Sequence, residues 1–343
     1  MRVGVLTGGG DAPGLNAAIR AVGQAAWREG YEVVGIRNGW LGLLQDNVFL
    51  LSPETVTDIL PRGGTILGTS RTNPFKTAEG PRRIQDTLRT RGIDVLVAIG
   101  GDDTLGVAAK LGAMGVRVVG IPKTMDNDIP GTDYTIGFDT AVTTVMDACD
   151  RLSPTAEAHR RVMVIEVMGR DAGWVAAVGG LAGGADVVLV PEVPFNVDDV
   201  CRRLKAQRER GKLFSLVVVA EGSKPKDLAT PIAQDAGTDA FGHVRLGGIG
   251  PVLAKEIETR TGYETRVTVL GHLQRGGSPT VFDRILATRF GVAAVDLIKR
   301  QRFGCMVAFR GNKLTSMTLE EGLTGSHTLD LSLYDLANAF GPS

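Results

Sequence analysis

Short apolar runs alternate with amphipathic stretches along the chain, and most of the apolar runs end in glycine or in a charged residue. Four runs in the first part have the length and the β-branched content of buried strands: Arg2–Thr7, Tyr31–Ile36, Val95–Ile99 and Val116–Ile121. Between the first two, the stretch Leu15–Glu29 has the spacing of an amphipathic helix. Strands and helices that alternate in this way predict an α/β fold with mainly parallel sheets.

Two of these strands end in polar loops that should lie side by side. The third run leads into Gly-Gly-Asp-Asp-Thr at residues 100–104, and the fourth leads into Pro-Lys-Thr-Met-Asp-Asn-Asp at residues 122–128. A right-handed parallel crossover puts successive strand ends on one side of a sheet. We therefore expect both loops at the same sheet edge, which is where open α/β sheets bind ligands.

Four carboxylates would converge at this edge, those of Asp102, Asp103, Asp126 and Asp128. So many acidic groups beside an apolar sheet are costly unless a divalent cation and basic side chains offset them. Gly100 and Gly101 allow phosphate oxygens to approach the backbone, and the helix expected from Thr104 directs its positive end to the same place. The pattern predicts a phosphate and Mg²⁺ site.

A second glycine-rich loop follows the first strand at residues 8–14, with the sequence Gly-Gly-Gly-Asp-Ala-Pro-Gly. It is not the G-x-G-x-x-G dinucleotide fingerprint, because Pro13 takes the place of the last glycine, and the chain has no Walker A sequence. Taken alone, the loop fits a tight turn that packs a helix on a sheet equally well. Its similarity to the loop at 100–104 favours phosphate binding.

The alternation of strands and helices starts again in the second half of the chain. Strands are predicted over Val162–Val167, Asp186–Val190 and Phe214–Ala220, and helices over Thr140–Arg151 and Ala172–Leu181. Two lobes are therefore expected.

One lobe is expected to contain residues 1–137 with 274–324. The other should contain residues 138–273 with 325–343. Within it, the polar, glycine-rich segment Gly222–Gly242 is expected to be mobile.

Composition and simple sequence patterns limit the partners, the location and the metal sites that are expected of this protein. The 38 Lys and Arg residues balance 38 Asp and Glu residues, so no global field favours nucleic acid or an acidic membrane surface as a partner. The sequence has no export signal and no apolar run of about 18 residues, and the cytoplasm is the expected location. Cys149, Cys201 and Cys305 lack the spacing of metal ligands and are expected to be buried fillers in a reduced protein.

Some basic residues are candidates for phosphate binding. Arg71 lies between small residues in a long connecting segment, although a lone arginine is more often a solvated surface group. His272 alone would more often be structural. Because Arg266 and Arg275 accompany it near a strand end, a phosphate-binding role is favoured for this group.

Six segments, taken together and in order over about residues 1–300, resemble the phosphofructokinase family. They are GGDAPGLNAAIR, GGDDT, PKTMDND, EVMGRDAGW, the strand-end Glu221 and TRVTVLGHLQRGGSP. The resemblance implies two Rossmann-like α/β lobes with the active site in the cleft between them, and an enzyme that phosphorylates fructose 6-phosphate with Mg²⁺ as cofactor. It also implies a homodimer or homotetramer.

The resemblance further implies a role for individual residues. Asp126 would accept the proton of the 1-hydroxyl of fructose 6-phosphate, in a catalytic set with Asp103, Lys123 and Arg170. The phosphoryl donor would face Gly10, Arg71, Asp102, Asp103, Thr104 and Lys123, with Asp102 acting through Mg²⁺. The sugar phosphate would be held by Thr124, Asp126, Asp128, Arg161, Met168, Gly169, Arg170, Glu221, Arg266, His272 and Arg275. Of these, Arg161 and Arg266 would reach in from a neighbouring subunit.

Two positions differ from the ATP-using branch of that family. The branch has glycine after the GGD aspartate and commonly after the proline of the next loop, whereas this chain has Asp103 and Lys123. A carboxylate about 4 Å from the α-phosphate of a nucleotide would repel it by about 4 kcal/mol at an effective dielectric constant of about 20. Lys123 would supply a cation for the outer phosphate of pyrophosphate. The pair favours pyrophosphate as the donor, and Asp103 is the stronger signal because some ATP users also carry lysine at the second position.

Four alternatives stay open. The enzyme could use ATP, or Asp103 could merely cap the helix that follows it. A sugar-phosphate-binding relative without catalysis is disfavoured, because both Asp126 and Asp102 are present. A nucleotide kinase that shares only the GGD loop, as in NAD kinases, is disfavoured by the sugar-site segments.

Overall fold

Strands and helices alternate along the chain in a computed structural model that describes residues 1–228, 233–238, 244–246 and 248–339. The strands are β1 Arg2–Thr7, β2 Glu32–Ile36, β3 Val48–Leu50, β4 Val95–Gly100, β5 Val118–Pro122, β6 Val162–Val167, β7 Val187–Leu189, β8 Ser215–Ala220, β9 Ala233–Thr238, β10 Val244–Leu246, β11 Thr265–Val269, β12 Cys305–Arg310 and β13 Lys313–Thr318. The α-helices are α1 Leu15–Arg28, α2 Trp40–Leu44, α3 Gly80–Thr90, α4 Asp102–Ala113, α5 Phe138–His159, α6 Trp174–Ala182, α7 Val197–Glu209, α8 Ile249–Thr261, α9 Val281–Lys299, α10 Leu319–Gly322 and α11 Leu331–Ala339. Short 3₁₀ helices lie at Glu54–Val56, Pro74–Lys76 and Gly271–Arg275.

The larger sheet has the strand order β13-β12-β5-β4-β1-β2-β3 within the described residues, and only its two edge strands pair in antiparallel fashion. The register aligns the ends of its central strands: Thr7 pairs with Ile99, and Ile99 pairs with Ile121. The loops at 8–14, 100–104 and 122–128 therefore leave the sheet at one edge. This confirms the expectation that the polar loops meet there.

The smaller sheet is parallel throughout and has the order β11-β6-β8-β7 in the part of the chain that the structure describes. Val167 at the end of β6 pairs with Ala220 at the end of β8, so Met168 and Glu221 follow two neighbouring strand ends. The predicted α/β class with mainly parallel sheets is confirmed.

Each of these two sheets is covered on both faces by helices, because its central strands are apolar on both sides. In the larger sheet, Val5 packs with α1 and α9 on one face, whereas Leu96 packs with α3 and α4 on the other. In the smaller sheet, Ile165 lies in a core with α5, α6 and α11, and Val164 lies in a core with α7 and α8. The four cores account for most of the buried apolar side chains.

Several predicted helix boundaries were wrong, and two of them lie near the candidate site or bear on the core. Helix α4 begins at Asp102, two residues before the expected start at Thr104. Helix α5 extends from Phe138 to His159 and passes through Pro154, whereas the prediction ended it at Arg151. Ala156, beyond the proline, is fully buried, so packing of this last part offsets the cost of about 3 kcal/mol for an interior proline.

Other predictions for this part of the molecule stand as follows. Cys149, Cys201 and Cys305 are buried and unbridged, as expected of filler side chains. The mobility expected for Gly222–Gly242 stays a prediction: residues 229–232 and 239–242 lie outside the described residues, and Ala233–Thr238 form strand β9. No helix in the described ranges has both the length and the apolar character that crossing a bilayer requires.

Candidate active site

A buried lysine joins two of the strand-end loops. The ammonium group of Lys123 donates a hydrogen bond to the carbonyl oxygen of Gly8 at 3.3 Å and another to the carbonyl oxygen of Gly10. The lysine is only 3% exposed. The pKa of Lys123 is lowered to about 8, chiefly by burial and also by nearby Arg275, although Asp126, Asp11 and Asp128 act in the opposite direction. A cation is thus held beneath the first glycine loop.

The glycines at this edge allow a close approach that a larger residue would prevent. A Cβ atom on Gly8 would lie 2.6 Å from the hydroxyl oxygen of Thr104, which is 2% exposed at the start of α4. The backbone of Gly8 is fixed as well, because its N–H donates to the carbonyl oxygen of Ile99 at 3.0 Å. The first two loops are therefore in direct contact.

The loop at 122–128 holds a buried carboxylate. Asp126 is 5% exposed, and its N–H donates to the hydroxyl oxygen of Thr124 at 3.1 Å. Of its carboxylate oxygens, Oδ1 is buried without a hydrogen-bond partner in the described part of the chain, and the same holds for Oδ1 of Asp128. Buried acceptors of this kind are rarely left unpaired in a native protein, so a ligand or solvent is expected to complete them.

Charges from both lobes meet at this carboxylate pair. The pKa of Asp128 is raised to about 7, chiefly by burial and also by the charges of Asp126 and Asp102. Across the cleft, burial lowers the pKa of Arg170, but Asp126 and the neighbouring acidic groups outweigh that effect and raise it above its ordinary value. The arginine is therefore charged and faces the acidic cluster of the other lobe.

The loop after β6 is fixed by its neighbours. The N–H of Arg170 donates to the carboxylate of Glu221 at 3.2 Å, and the N–H of Met168 donates to the side-chain carbonyl of Gln274 at 2.9 Å. Gly169 has φ of 148°, and Arg170 has φ of 53° in the left-handed region. Burial raises the pKa of Glu221, and the charge of Asp126 adds to this effect. Residues 168–170 and Glu221 thus form one wall beside Asp126.

The sequence matches the model of a known protein family. The model of the phosphofructokinase family matches residues 2–298. The chain belongs to the phosphofructokinase family. This confirms the resemblance seen in the sequence.

Relatives of this phosphofructokinase differ in the donor that their names give. The chain is 53% identical to pyrophosphate--fructose 6-phosphate 1-phosphotransferase of Streptomyces coelicolor, over 99% of both chains. It is 49% identical to ATP-dependent 6-phosphofructokinase of Mycobacterium tuberculosis, also over 99% of both chains. Among solved structures, Pichia pastoris phosphofructokinase in the T-state is similar with a TM-score of 0.84 at 33% identity, covering 94% of this chain and 35% of that longer chain.

Arg161 and Arg266, two of the expected phosphate ligands of this phosphofructokinase, lie away from the rest of the site. Arg161 precedes β6 and Arg266 lies near the start of the edge strand β11, whereas Met168 follows the far end of β6. Seven residues of extended chain span roughly 23 Å. Both arginines contact the carboxylate of Glu264, at 2.7 Å from the Arg161 guanidinium. A single chain does not bring them to Asp126.

The other candidate residues differ in their contacts and exposure. Arg275 donates to the carbonyl oxygen of Asp11 at 3.0 Å, and its guanidinium lies against Gly10, where an added Cβ would come within 2.6 Å of it. In this chain Arg275 thus contacts the first glycine loop. Arg71, Asp102 and His272 are exposed, and Asp103 is partly exposed.

Asp103 does not cap the helix beside it. Helix α4 begins at Asp102, its N-terminal capping position is Gly101, and no side chain makes the capping hydrogen bond. The capping interpretation of Asp103 is therefore wrong. Asp103 lies in the first helical turn, where its charge contributes to the high pKa of Arg170.

Sequence reasoning missed three residues that support the site. Asn127 holds its own loop in place, because its side chain accepts from the N–H of Thr135 at 3.0 Å and donates to the carbonyl oxygen of Asp133 at 3.0 Å. Gln274 lies in the TRVTVLGHLQRGGSP segment, but no role was assigned to it. His327 lies 200 residues from the loop it contacts, and no local pattern marks it.

Proposed function

We propose that this phosphofructokinase transfers a phosphoryl group reversibly from pyrophosphate to the 1-hydroxyl of fructose 6-phosphate, giving fructose 1,6-bisphosphate and phosphate. The observation that carries the proposal is the buried carboxylate of Asp126 between the cations of Lys123 and Arg170, which belong to opposite lobes. The identity of 53% to an enzyme named for this reaction supports it.

In this proposal Asp126 accepts the proton of the attacking hydroxyl. Its Oδ1 lacks a partner among the described residues, so it is available to the substrate. The transferring group needs little covalent help, because positioning and neutralisation of its charge account for most of the catalysis. Lys123 and Arg170 provide that neutralisation from the two sides.

The acidic cluster suits Mg²⁺ as the metal. Asp126 and Asp128 each offer a buried carboxylate oxygen without a partner within the described ranges, and such oxygens are the ligands that Mg²⁺ prefers. The described residues contain no group of three or more acidic, His or Cys side chains arranged to hold a metal alone. Of Asp126 and Asp128, we infer that Asp128 holds the ion together with Asp102 and substrate phosphates, because Oδ1 of Asp126 is needed to accept the proton of the hydroxyl. The bound ion would neutralise charge that develops on the phosphate oxygens.

The assignment of the lobes is part of the same proposal. Residues 1–137 with 274–324 would bind the donor through Gly10, Arg71, Asp102, Asp103, Thr104 and Lys123. Residues 138–273 with 325–343 would bind fructose 6-phosphate in a cleft shared with Thr124, Asp126 and Asp128. The lobe assignment is supported by Lys123 beneath the first glycine loop and by Arg170 opposite Asp126. We also propose that the enzyme is located in the cytoplasm.

The binding site for the sugar phosphate would be completed by a second subunit. The position of Arg161 and Arg266, at the opposite end of their strands from Met168, supports their contribution across an interface of a homodimer or homotetramer. His272 is proposed to bind the same phosphate from its own chain. Arg275 would lie between this phosphate and the donor loop that it contacts.

A donor assay with a base variant tests the proposal. Wild-type turnover should be supported by pyrophosphate far better than by ATP. Asp126→Asn keeps the size of the side chain but removes the proton acceptor, so turnover should fall by roughly 10² to 10⁴ with a much smaller change in KM. Asp58→Asn, at an exposed position, is the matched control. Near-normal turnover of Asp126→Asn would contradict the assignment of the base.

ATP dependence is the second candidate function. It is favoured by one observation, the identity of 49% to a relative named as ATP-dependent. Wild-type turnover that ATP supports and pyrophosphate does not would select it. The assignment to the phosphofructokinase family would be unaffected.

A further inference from the structure

A C-terminal segment crosses between the two lobes beside the catalytic loop. This crossing segment, residues 325–329, connects α10, which packs on the larger sheet, to α11, which packs on the smaller one. In its middle, His327 makes two contacts with the loop of Asp126. Its ring nitrogen Nδ1 lies 2.7 Å from the carbonyl oxygen of Asn127, and its backbone N–H donates to the carbonyl oxygen of Asp128 at 3.1 Å. Because a carbonyl oxygen only accepts, Nδ1 must carry the hydrogen.

The same residue is held from the other side by the second lobe. The indole N–H of Trp174 donates to the carbonyl oxygen of His327 at 2.8 Å, and the two rings lie 4.7 Å apart. Two residues further along, the N–H of Leu329 donates to Glu192 at 3.1 Å. The same Glu192 oxygen accepts from the N–H of Gly173 at 2.9 Å. Trp174 begins α6, directly after the loop that carries Arg170.

The catalytic loop is anchored on both sides of Asp126. The carbonyl oxygen of Thr124 accepts from the hydroxyl of Thr135 at 2.6 Å, on the side of the loop before Asp126. On the other side, the carbonyl oxygens of Asn127 and Asp128 both accept from His327. Asn127 has φ of 54°, a left-handed conformation that its neighbours must maintain. The position of the Asp126 carboxylate therefore depends on anchors in the loop's own lobe, among them the Asn127 side chain, and on an anchor in the crossing segment.

We infer that His327 is a positioning residue that holds the Asp126 loop at a fixed place relative to the sugar-binding loop of the second lobe. Its contacts are with the backbone of the Asp126 loop and with Trp174. This inference rests on the proposed role of Asp126 as the base. The donor is immaterial to it, because pyrophosphate and ATP would both require the same position of the 1-hydroxyl against the carboxylate.

Replacement of the ring donor tests the inference. His327→Leu removes the bond to Asn127 and keeps the backbone bond to Asp128. Turnover should fall by about 10- to 100-fold, because a shift of about 1 Å in a catalytic group has effects of that size, while KM for both substrates changes less than about threefold. His327→Asn places an amide N–H near the former Nδ1 and should restore most of the turnover.

Two further variants separate positioning from general damage. Ser326→Ala changes an exposed neighbour in the crossing segment and should leave turnover unchanged. Trp174→Phe removes the indole donor but keeps a ring, and it should lower turnover in the same direction by a smaller factor. If His327→Leu fails to fold, the KM and kcat values of Trp174→Phe and His327→Asn decide the matter.

Three results would overturn the inference: wild-type turnover in His327→Leu, an equal loss in His327→Asn, or a rise in KM with kcat unchanged. Equal kcat values for wild type and Trp174→Phe would also overturn it if the leucine variant is unfolded. Wild-type protein that is inactive with both donors would instead contradict the proposed function.

Discussion

Lys123 and Gly8 are joined by a hydrogen bond of 3.3 Å from the buried ammonium group to the backbone carbonyl oxygen. The bond places the cation of one strand-end loop beneath the glycines of another. Because the pKa of this lysine is lowered to about 8, the charge at the proposed donor site is lost as the pH rises through that value. The site should therefore bind anions more weakly in mildly alkaline solution.

The first prediction concerns this pH dependence. The KM for pyrophosphate should rise as the pH increases from about 7 to about 9, and the KM for fructose 6-phosphate should change less. Lys123→Met should have a high KM for pyrophosphate at every pH and should lack the step near pH 8. Steady-state kinetics across this range provide the measurement. A step that persists in the methionine variant would assign the titration to another group or to pyrophosphate itself.

The second prediction concerns stability. The pKa of Asp128 is about 7 in the folded protein and 3.8 ordinarily, so the folded state binds more protons than the unfolded state between these values. Stability from this group is therefore present at low pH and is lost as the pH rises toward 7. Asp128→Asn should raise Tm at pH 8 by about 2 to 8 °C and should have little effect near pH 4.

Thermal unfolding at both pH values, with Asp58→Asn as the exposed control, measures this effect. Addition of Mg²⁺ at pH 8 should raise Tm of the wild type more than that of Asp128→Asn. A lower Tm for Asp128→Asn at pH 8 would show that the ionised carboxylate stabilises the fold.

The third prediction concerns donor choice. Asp103→Gly should create or raise ATP-dependent turnover and lower the use of pyrophosphate, because it removes a carboxylate and its bulk from the expected position of the α-phosphate. Asp103→Asn removes only the charge, so comparison of the two variants separates repulsion from steric exclusion. Lys123→Gly should deepen the change when it is added to Asp103→Gly.

Steady-state kinetics of these variants with both donors provide the test. The helix should tolerate the substitution, because its N-terminal capping position is Gly101 and the loss of one charge from the first turn costs about 1 kcal/mol. An unchanged ratio of donors in the double variant would defeat the role assigned to Asp103.

The fourth prediction concerns the shared site. The Arg266→Ala variant alone should be nearly inactive at low concentrations of fructose 6-phosphate. The Asp126→Asn variant alone should also be nearly inactive. If Arg266 acts across an interface, mixed assemblies form some sites that contain both intact residues. Random mixing of equal amounts should then restore about a quarter of the wild-type activity per subunit in a dimer. Mixing Asp126→Asn with Lys123→Met, which lies on the same loop, should restore none and serves as the control.

No recovery in exchanged mixtures would place Arg266 and Asp126 in the same chain's site or would remove Arg266 from the site. Exchange of subunits is verified by differently tagged chains that purify together. The outcome is independent of the identity of the donor, because the assay uses whichever donor supports the wild type.

The sequence by itself determined the parts whose information is local. Apolar runs predicted β1 and β6, and the polar loops at 100–104 and 122–128 were correctly placed at one sheet edge, because parallel crossovers leave few alternatives. The segment motifs identified the family for the same reason, since a phosphate site needs particular residues at fixed distances from a strand end.

Tertiary structure alone decided the contacts between residues far apart in sequence. Helix α5 continues through Pro154 because the core of the second lobe buries Ala156, which local propensity does not reveal. The lowered pKa of Lys123 follows from full burial next to Arg275, which is 152 residues away in the printed sequence. His327 meets Asn127 only because the crossing segment returns between the lobes. Such contacts depend on how the lobes pack against each other. A pattern of residues along the chain does not give the distance between residues that are far apart in sequence.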